Sequence, residues 1–349
     1  FFLRGKMRKY IKFLIVGILV VIMGSKFAAA FTSPGTRALS MGGAFTAVAD
    51  DMSCVFWNPA GISRIKNLHT GSSLSMAVKN VESWKKFYEL AKALQKGEYG
   101  KILDSLNEIE TPFGAVPTLT LEGFVTPRLA LTAIPQMEIE ISKFIYNERT
   151  FSIEVEDKEA LLVPLYLTIA TQIPQSSFWV GGNLKYFIYG FKHYSHFQFL
   201  LPGELYEIDP EQMGESKPIF SLDGGVLYEL KETGLTLGMT VRDIFEPHIK
   251  FENFDKELTL SRKINIGISY KPNPQIVLSA DVHNLFEEDK TFHFGTEINL
   301  YLVKLRAGLS NGILTWGLGV DAGFFNLDFA YSKEKENNPL ISIDLGINI

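Results

Sequence analysis

The sequence predicts an all-β chain. It is read as a transmembrane antiparallel β-barrel of about 14 strands, with 12 to 16 open, carrying a small N-terminal hatch in its lumen and a helical insertion near residues 83–110. Three observations lead there. Hydrophobic residues make up 46% of the chain and glycines number 29, yet after residue 30 no apolar run approaches the ~20 residues of a membrane helix. The hydrophobic residues instead alternate with polar or small ones, the period of a strand. The connections between the alternating segments are long at one end and short at the other.

Residues 1–30 read as a secretory signal peptide. Arg8, Lys9 and Lys12 follow Met7, an apolar run spans Phe13 to Met23, and Ala28-Ala29-Ala30 offers a small-residue cleavage site. Met7 is the expected initiator, with Phe1–Lys6 upstream of it, and the mature chain is expected to begin near Phe31. Six of the 34 Lys and Arg, and none of the 39 acidic residues, lie in residues 1–30, which leaves 28 basic against 39 acidic residues and a net charge of −11. A nucleic-acid partner would call for a basic surface, so none is expected. Cys54 is the single cysteine, which excludes an intrachain disulfide.

Residues 31–67 do not alternate. Gly35, Gly42, Gly43 and Gly61, with several alanines, permit close backbone approach. Asp50-Asp51 is placed to cap a short helix running toward Trp57, and Asn58-Pro59 to stop it and force a turn. This segment is assigned as a hatch distinct from the barrel of residues 68–349. Arg37, Asp50, Asp51, Asn58 and Pro59 are the candidates for contacts that pin it, with Gly42, Gly43 and Gly61 for close packing. Ordinary capping and turn formation is the other reading of the polar four.

The barrel strands are expected near 69–79, 117–125, 128–143, 160–171, 178–192, 218–229 and 233–243, and seven more follow. Ile264, Ile266, Ile268 and Tyr270 oppose Asn265, Gly267 and Ser269. Ile276, Leu278, Ala280 and Val282 oppose Ser279, Asp281 and His283. Phe292 and Phe294 share a face with Ile298 and Leu300, opposite His293 and Glu297. The same pattern recurs at 303–310, 314–321, 325–331 and 341–349. Alternation also suits a soluble sandwich, whose apolar face is buried. The loop asymmetry argues for the barrel. Segments 80–116, 144–159, 193–217 and 244–261 fall on the side expected to be outside, and only short turns on the periplasmic side. Phe151, Ile153 and Val155 alternate within 144–159, so a further hairpin stays open. Within 80–116, Phe87, Leu90, Leu94, Ile102 and Leu106 have helical spacing. A rim cap and a capture or partner surface are both consistent with that pattern.

Three runs stand close together: Arg37-Ala38-Leu39-Ser40-Met41-Gly42-Gly43-Ala44-Phe45, Ala49-Asp50-Asp51 and Trp57-Asn58-Pro59-Ala60-Gly61. Together they resemble the start of the FadL-type outer-membrane transport superfamily, and more closely its PorV/PorQ-like and uncharacterised members. Ala280–Leu285, Leu305–Gly308 and Asp328–Tyr331 are similar to that family's C-terminal pattern. The resemblance implies a fourteen-stranded barrel with its N-terminal segment folded into the lumen, in the bacterial outer membrane after export. It also implies passage of hydrophobic, fatty-acid-like molecules, or alternatively a PorV-like scaffold for protein export or surface attachment. The implied partners are outer-membrane lipid and either a hydrophobic small molecule or export-machinery proteins. The chain ends in Ile349 where many such barrels end in Phe or Trp, which leaves the assembly signal open.

No enzyme motif, cofactor site or metal site is expected. Walker, G-x-S-x-G and H-E-x-x-H patterns are absent from the sequence. His283 and His293, with Asp281 and Glu297 nearby, read as polar lining of a wet lumen, and His193-x-x-His196 falls in an expected loop.

Overall fold

The computed structural model describes residues 34–66, 68–96, 109–111, 113–147, 152–200, 204–208, 215–251, 256–333 and 339–348. The expected leader and the second half of the expected helical insertion lie outside them. Fourteen antiparallel strand positions close on themselves. They are β1 (His69–Lys79), β2 (Phe113–Val125), β3 and β4 in line (Leu129–Ala133, Gln136–Asn147), β5 (Ser152–Gln172), β6 (Phe178–Leu200), β8 (Glu215–Leu230) and β9 (Leu235–Arg242). The circuit continues through β12 (Lys263–Asn273), β13 (Ile276–His283), β14 (Thr291–Leu300), β15 (Val303–Ser310), β16 (Ile313–Asp321), β17 (Phe325–Lys333) and β18 (Pro339–Asn348). β1 pairs with β18 from His69↔Asn348 to Ala77↔Leu340, which leaves no free edge around the circuit.

The faces are inverted relative to a soluble protein. Leu74, Phe294, Trp316, Leu318 and Ile343 stand exposed on the outside, while Ser75, Glu297, Arg306, Thr315 and Ser342 are buried within. In water such an outer face would be a large exposed apolar surface; in lipid it is the stabilising one. This removes the sandwich alternative.

The third strand position breaks at Ile134-Pro135 without losing register. Pro135 has no N–H to donate, but its carbonyl still accepts from Leu119 at 2.9 Å. At Gly123 of β2 the register shifts by one residue, a bulge where no side chain has to be accommodated.

Two expected loops are in large part strand. β4, β5 and β6 run on into 144–159 and 193–217, paired from Asn147↔Ser152 through Ile153↔Phe199, and β7 (Glu204–Ile208) adds to β6. The alternation at 153–155 therefore extends β5 and does not make an extra hairpin across the membrane. Strands longer than the membrane needs still lower their free energy by pairing, so alternation alone does not mark where the membrane ends. A separate hairpin, β10 (His248–Phe251) with β11 (Lys256–Thr259), lies in the 244–261 connection.

The helical insertion is seen as α3 (Val81–Lys96); its continuation to 110 falls mainly on undescribed residues. Asn80 accepts from Ser83 N at 3.2 Å and so caps the first turn. Phe87, Leu90 and Ala93 are buried, and Trp84 packs edge-on to Phe113 while donating to Gly114 O at 2.6 Å. The apolar stripe of α3 thus rests on the start of β2, the arrangement of a rim cap.

Candidate functional site: the hatch and its seat in the barrel

Residues 34–65 occupy the lumen as three short helical pieces joined by turns. They are α1 (Thr36–Ser40), α2 (Cys54–Trp57) and a 3-10 helix, Pro59–Arg64. None is long enough to persist alone, so the wall has to hold them. Gly42 and Gly43 turn the chain after α1 with φ of 68° and 77°. Asp51 does not cap α2 directly. Its carboxylate accepts from Ser53 N and Oγ, at 2.9 and 2.6 Å, one turn ahead of the helix. Asn58 ends α2 in extended conformation, and its side chain accepts from Ala60 N at 3.2 Å, opening the 3-10 helix with Pro59 at its first position.

The hatch meets the wall differently on its two sides. Toward β2, β3 and β5 the contact is apolar: Met52, Val55, Ile62 and Ile65 pack with Val125, Ala130, Ile134 and Tyr166. Toward β6–β16 it is backbone on backbone. A Cβ on Gly308 would meet Gly42 N and the Met41 carbonyl group, and one on Gly295 would lie 2.6 Å from Met41 O. Gly238 faces the Thr46 carbonyl in the same way, and a Cβ on Gly317 would strike the Ser40 side chain. Side-chain bonds fill the gaps. Asp281 accepts from the N–H groups of Phe45 and Thr46 at 2.9 and 2.7 Å, and Thr315 donates to Ser40 O at 3.0 Å. Thr36 and Ser342 share a 2.6 Å hydroxyl bond.

At the short-turn end an ionic network joins hatch and wall. Arg37 Nε and Nη2 donate to the two oxygens of Glu297 at 2.7 and 2.9 Å, a bidentate pair. Its Nη1 reaches Asp50 at 2.6 Å and Asp51 at 3.3 Å. Arg306 shares Glu297 at 2.6 Å and holds Asp328 at 2.5 Å, while Lys271 reaches Asp50 at 3.0 Å. Burial works against the charge on Arg37, but Asp50, Glu297 and Asp51 outweigh it and hold its proton more tightly than usual. Burial likewise opposes ionisation of Asp50, yet Arg37, Lys271 and Arg64 hold its carboxyl far below the usual range. At Asp51 burial prevails over Arg37 and the Ser53 bonds, and the carboxyl is pushed up. A carboxylate held low contributes fully above its free value of ~3.9 and loses that contribution only as pH falls well below it. Asp50→Asn is therefore expected to loosen the hatch by the same factor at pH 7 and pH 5, read as hydrogen exchange of residues 36–52. A defect confined to pH 7 would contradict this account.

Among the described residues, cavities lie on two sides of the hatch. The one between hatch and wall, about 330 Å³, is polar, with Arg37, Asp50, Asp51, Arg64, Asp328 and Asp344 around it. The larger, about 910 Å³, lies on the membrane side of the wall over Val180, Val226, Met239, Val241, Ile264 and Phe286. Its floor includes Gly181, Gly224 and Gly225. Gly181 pairs with Gly225 and Gly182 with Gly224 in adjacent strands, so four glycines make one thin patch. Directly behind it sits the hatch. A Cβ on Gly181 would lie 2.6 Å from Ala60 N, and one on Gly225 would strike the Asn58 side chain. Asn58 Nδ2 donates to Val226 O at 3.0 Å and to Thr46 O at 2.9 Å, tying the hatch to the back of the patch. One backbone thickness separates hatch from membrane there. The apolar volume thus lies outside the wall.

The structure brings Arg37, Asp50 and Asp51 together at one end of the hatch and puts Asn58 and Pro59 at the glycine patch. Gly42 and Gly43 lie under β14 and β15, while Gly61 packs within the hatch, where a Cβ would strike the Ala49 carbonyl. Glu297, Asp281, His293 and Arg306 were legible only as lumenal polar residues, not as partners of the hatch. The inward glycines of successive strands were the available signal, since a glycine at a lumen-facing position marks where something approaches the wall. Among the described residues no group of three or more His, Cys, Asp or Glu is placed to hold a metal ion. His193 and His196 lie on β6, outside the residues whose side chains are described.

A family model described as F plasmid transfer operon, TraF, protein matches residues 167–298. A search of curated protein sequences returns no match. Among solved structures, the Ralstonia pickettii toluene transporter TbuX is similar, with TM-score 0.60 and 11% identity, covering 91% of this chain and 98% of that one. The CymD monoaromatic hydrocarbon channel gives TM-score 0.58 at 12% identity, with 92% and 99% covered. A Pseudomonas aeruginosa FadL homologue gives 0.53 at 10%, with 93% and 99% covered. At these identities the likeness is one of fold: the chain has the FadL-type fold.

Proposed function

We propose that this chain is an outer-membrane channel for hydrophobic small molecules of fatty-acid-like character, exported by a leader in residues 1–30. Residues 31–67 act as its hatch, pinned by Arg37, Asp50, Asp51, Asn58 and Pro59 and close-packed at Gly42, Gly43 and Gly61. The observation that carries this reading is the apolar concavity of about 910 Å³ backed by the four-glycine patch. An apolar solute in the membrane is separated from the hatch there only by the paired backbone of β6 and β8, and its passage requires that pairing to part at the glycines. Withdrawal of Asn58–Ala60 would free the inner side. The toluene transporter and the monoaromatic hydrocarbon channel named above share the fold, which supports the same class of cargo.

Gly224 tests this. A Cβ there meets only Ile244 Cδ1 at 3.9 Å, so a larger side chain has room to grow into the concavity without touching the hatch. Gly224→Leu is expected to abolish uptake of a radiolabelled aromatic hydrocarbon or long-chain fatty acid by cells depending on this protein, with assembly and ion conductance unchanged. Undiminished uptake would remove the route.

One observation favours a PorV-like scaffold for export or surface attachment: the cavity between hatch and wall is lined largely by charged side chains. On that reading purified protein carries no hydrophobe. Mass spectrometry of organic extracts from several preparations separates the two.

A further inference from the structure

The contact opposite the Arg37 end of the hatch is made by two histidines. His283 on β13 and His293 on β14 stack with ring centroids 3.9 Å apart and planes 28° from parallel. His293 Nδ1 lies 2.6 Å from Gly42 O; a carbonyl only accepts, so that nitrogen carries the proton. His293 Nε2 meets Thr291 Oγ1 at 2.8 Å, and Ser310 Oγ is 3.3 Å from Nδ1. His283 Nε2 is 3.3 Å from Asp281 Oδ2, the same oxygen that accepts from Phe45 N and Thr46 N. The Trp57 ring lies against His283 from the hatch side at 5.9 Å.

We propose that this pair is a proton-sensitive clasp on the 42–46 turn of the hatch, closed while both rings are neutral and released when they take up protons. This regulates the barrier assigned above and rests on that reading. A proton on His283 draws Asp281 Oδ2 into an ion pair and away from the Phe45 and Thr46 amides. A second, on His293, sets two like charges 3.9 Å apart in a site nearly closed to water, where repulsion is poorly screened. The surrounding charges relieve it only in part: among the described residues, Asp281 is the carboxylate beside the pair. Glu297, next inward on β14, is already divided between Arg37 and Arg306, which bring positive charge from the hatch and β15. From β12 the facing residue is neutral Asn265, and on β9 the Arg242 guanidinium lies 3.9 Å over the Phe56 ring of the hatch. Glu287, Glu288, Asp289 and Lys290 in the adjoining loop are exposed to solvent. The ordinary imidazole value of ~6.5 lies between the two pH values compared below.

Hydrogen exchange with mass spectrometry on the full purified chain, at pH 7.5 and pH 5.0 and corrected for intrinsic rates, tests this without reference to transport. Amides of residues 42–47 are expected to exchange about tenfold faster or more at pH 5.0, the equivalent of one unit of difference in proton affinity. Residues 36–41, held through Arg37, are expected to keep their protection. The pair His283→Gln and His293→Gln, whose new amide can still donate to Gly42 O, is expected to remove the acid effect. Equal protection of 42–47 at both pH values in the native chain overturns the proposal, as does an acid effect that survives the double substitution. Should the double variant not assemble, His283→Gln alone leaves His293 without a second charge beside it. It is expected to lose most of the effect, and full retention overturns the proposal equally.

Discussion

Replacing Gly308 by valine is expected to unseat the hatch and raise the ion conductance of the barrel. The new side chain would point into the lumen, where its Cβ meets the Gly42 amide nitrogen and the Met41 carbonyl group. These are backbone atoms, with no rotamer to swing aside. Gly42 cannot retreat easily, because its φ of 68° already commits it to a turn and its own Cα faces Leu309 N. Overpacking of this kind costs ~1–3 kcal/mol where side chains can adjust, and more where they cannot. Valine suits a strand, so the barrel itself is expected to assemble. Single-channel recording in planar bilayers reads the result. Ala307→Val, one residue along and facing outward, is the control expected to change nothing. If the two variants conduct alike, the hatch is not seated on Gly308 in the way described.

The same residue shows what was legible in the sequence. Alternation placed Gly308 on the face opposite Leu305 and Leu309, and loop asymmetry then placed that face inside. Those two steps led to about fourteen strands, with 12 to 16 open, to the direction of each face and to the N-terminal segment as something other than a strand. Neither step carries the height of a residue along the barrel axis. Gly308, Gly295 and Gly317 therefore read as small lining residues, although together with Gly238 they outline the footprint of the hatch. The polar partners were hidden for the same reason. Arg37 and Glu297 are 260 positions apart, and only the closed register brings them to 2.7 Å. The 144–159 and 193–217 segments were misjudged on different grounds. A period-two pattern reports pairing, and pairing continues past the membrane in β4–β6.

The two sides of the hatch also bear on how it moves. Its apolar contact with β2, β3 and β5 is nondirectional and tolerates sliding, whereas the contacts with β13–β16 are directional bonds that hold or break. Asn58 at the glycine patch belongs with the second kind, since its Nδ2 donates to the Val226 carbonyl of the wall. A withdrawal that opens the patch is thus expected to break the directional contacts while the apolar side acts as the pivot.

On that view Arg37 is the residue whose loss costs most. Its guanidinium is shared among Glu297, Asp50 and Asp51, and its side chain is 15% exposed. Removing one partner of a buried ionic network costs ~3–5 kcal/mol, because the remaining charges stay desolvated. The lower end applies here, since Glu297 keeps Arg306 and Asp50 keeps Lys271. Arg37→Ala is therefore expected to lower the protection of residues 36–41 by on the order of a hundredfold, with the strands unaffected. Arg37→Lys is expected to recover little. A single ammonium cannot make the bidentate bond to Glu297 and reach Asp50 together. Glu297→Gln gives the second arm of a double-mutant cycle, and the coupling with Arg37→Ala is expected to exceed ~1 kcal/mol. Strict additivity would mean that the two side chains, though in contact, do not hold the hatch through each other. Unchanged protection in Arg37→Ala would place the hold on the glycine seats and the apolar side alone.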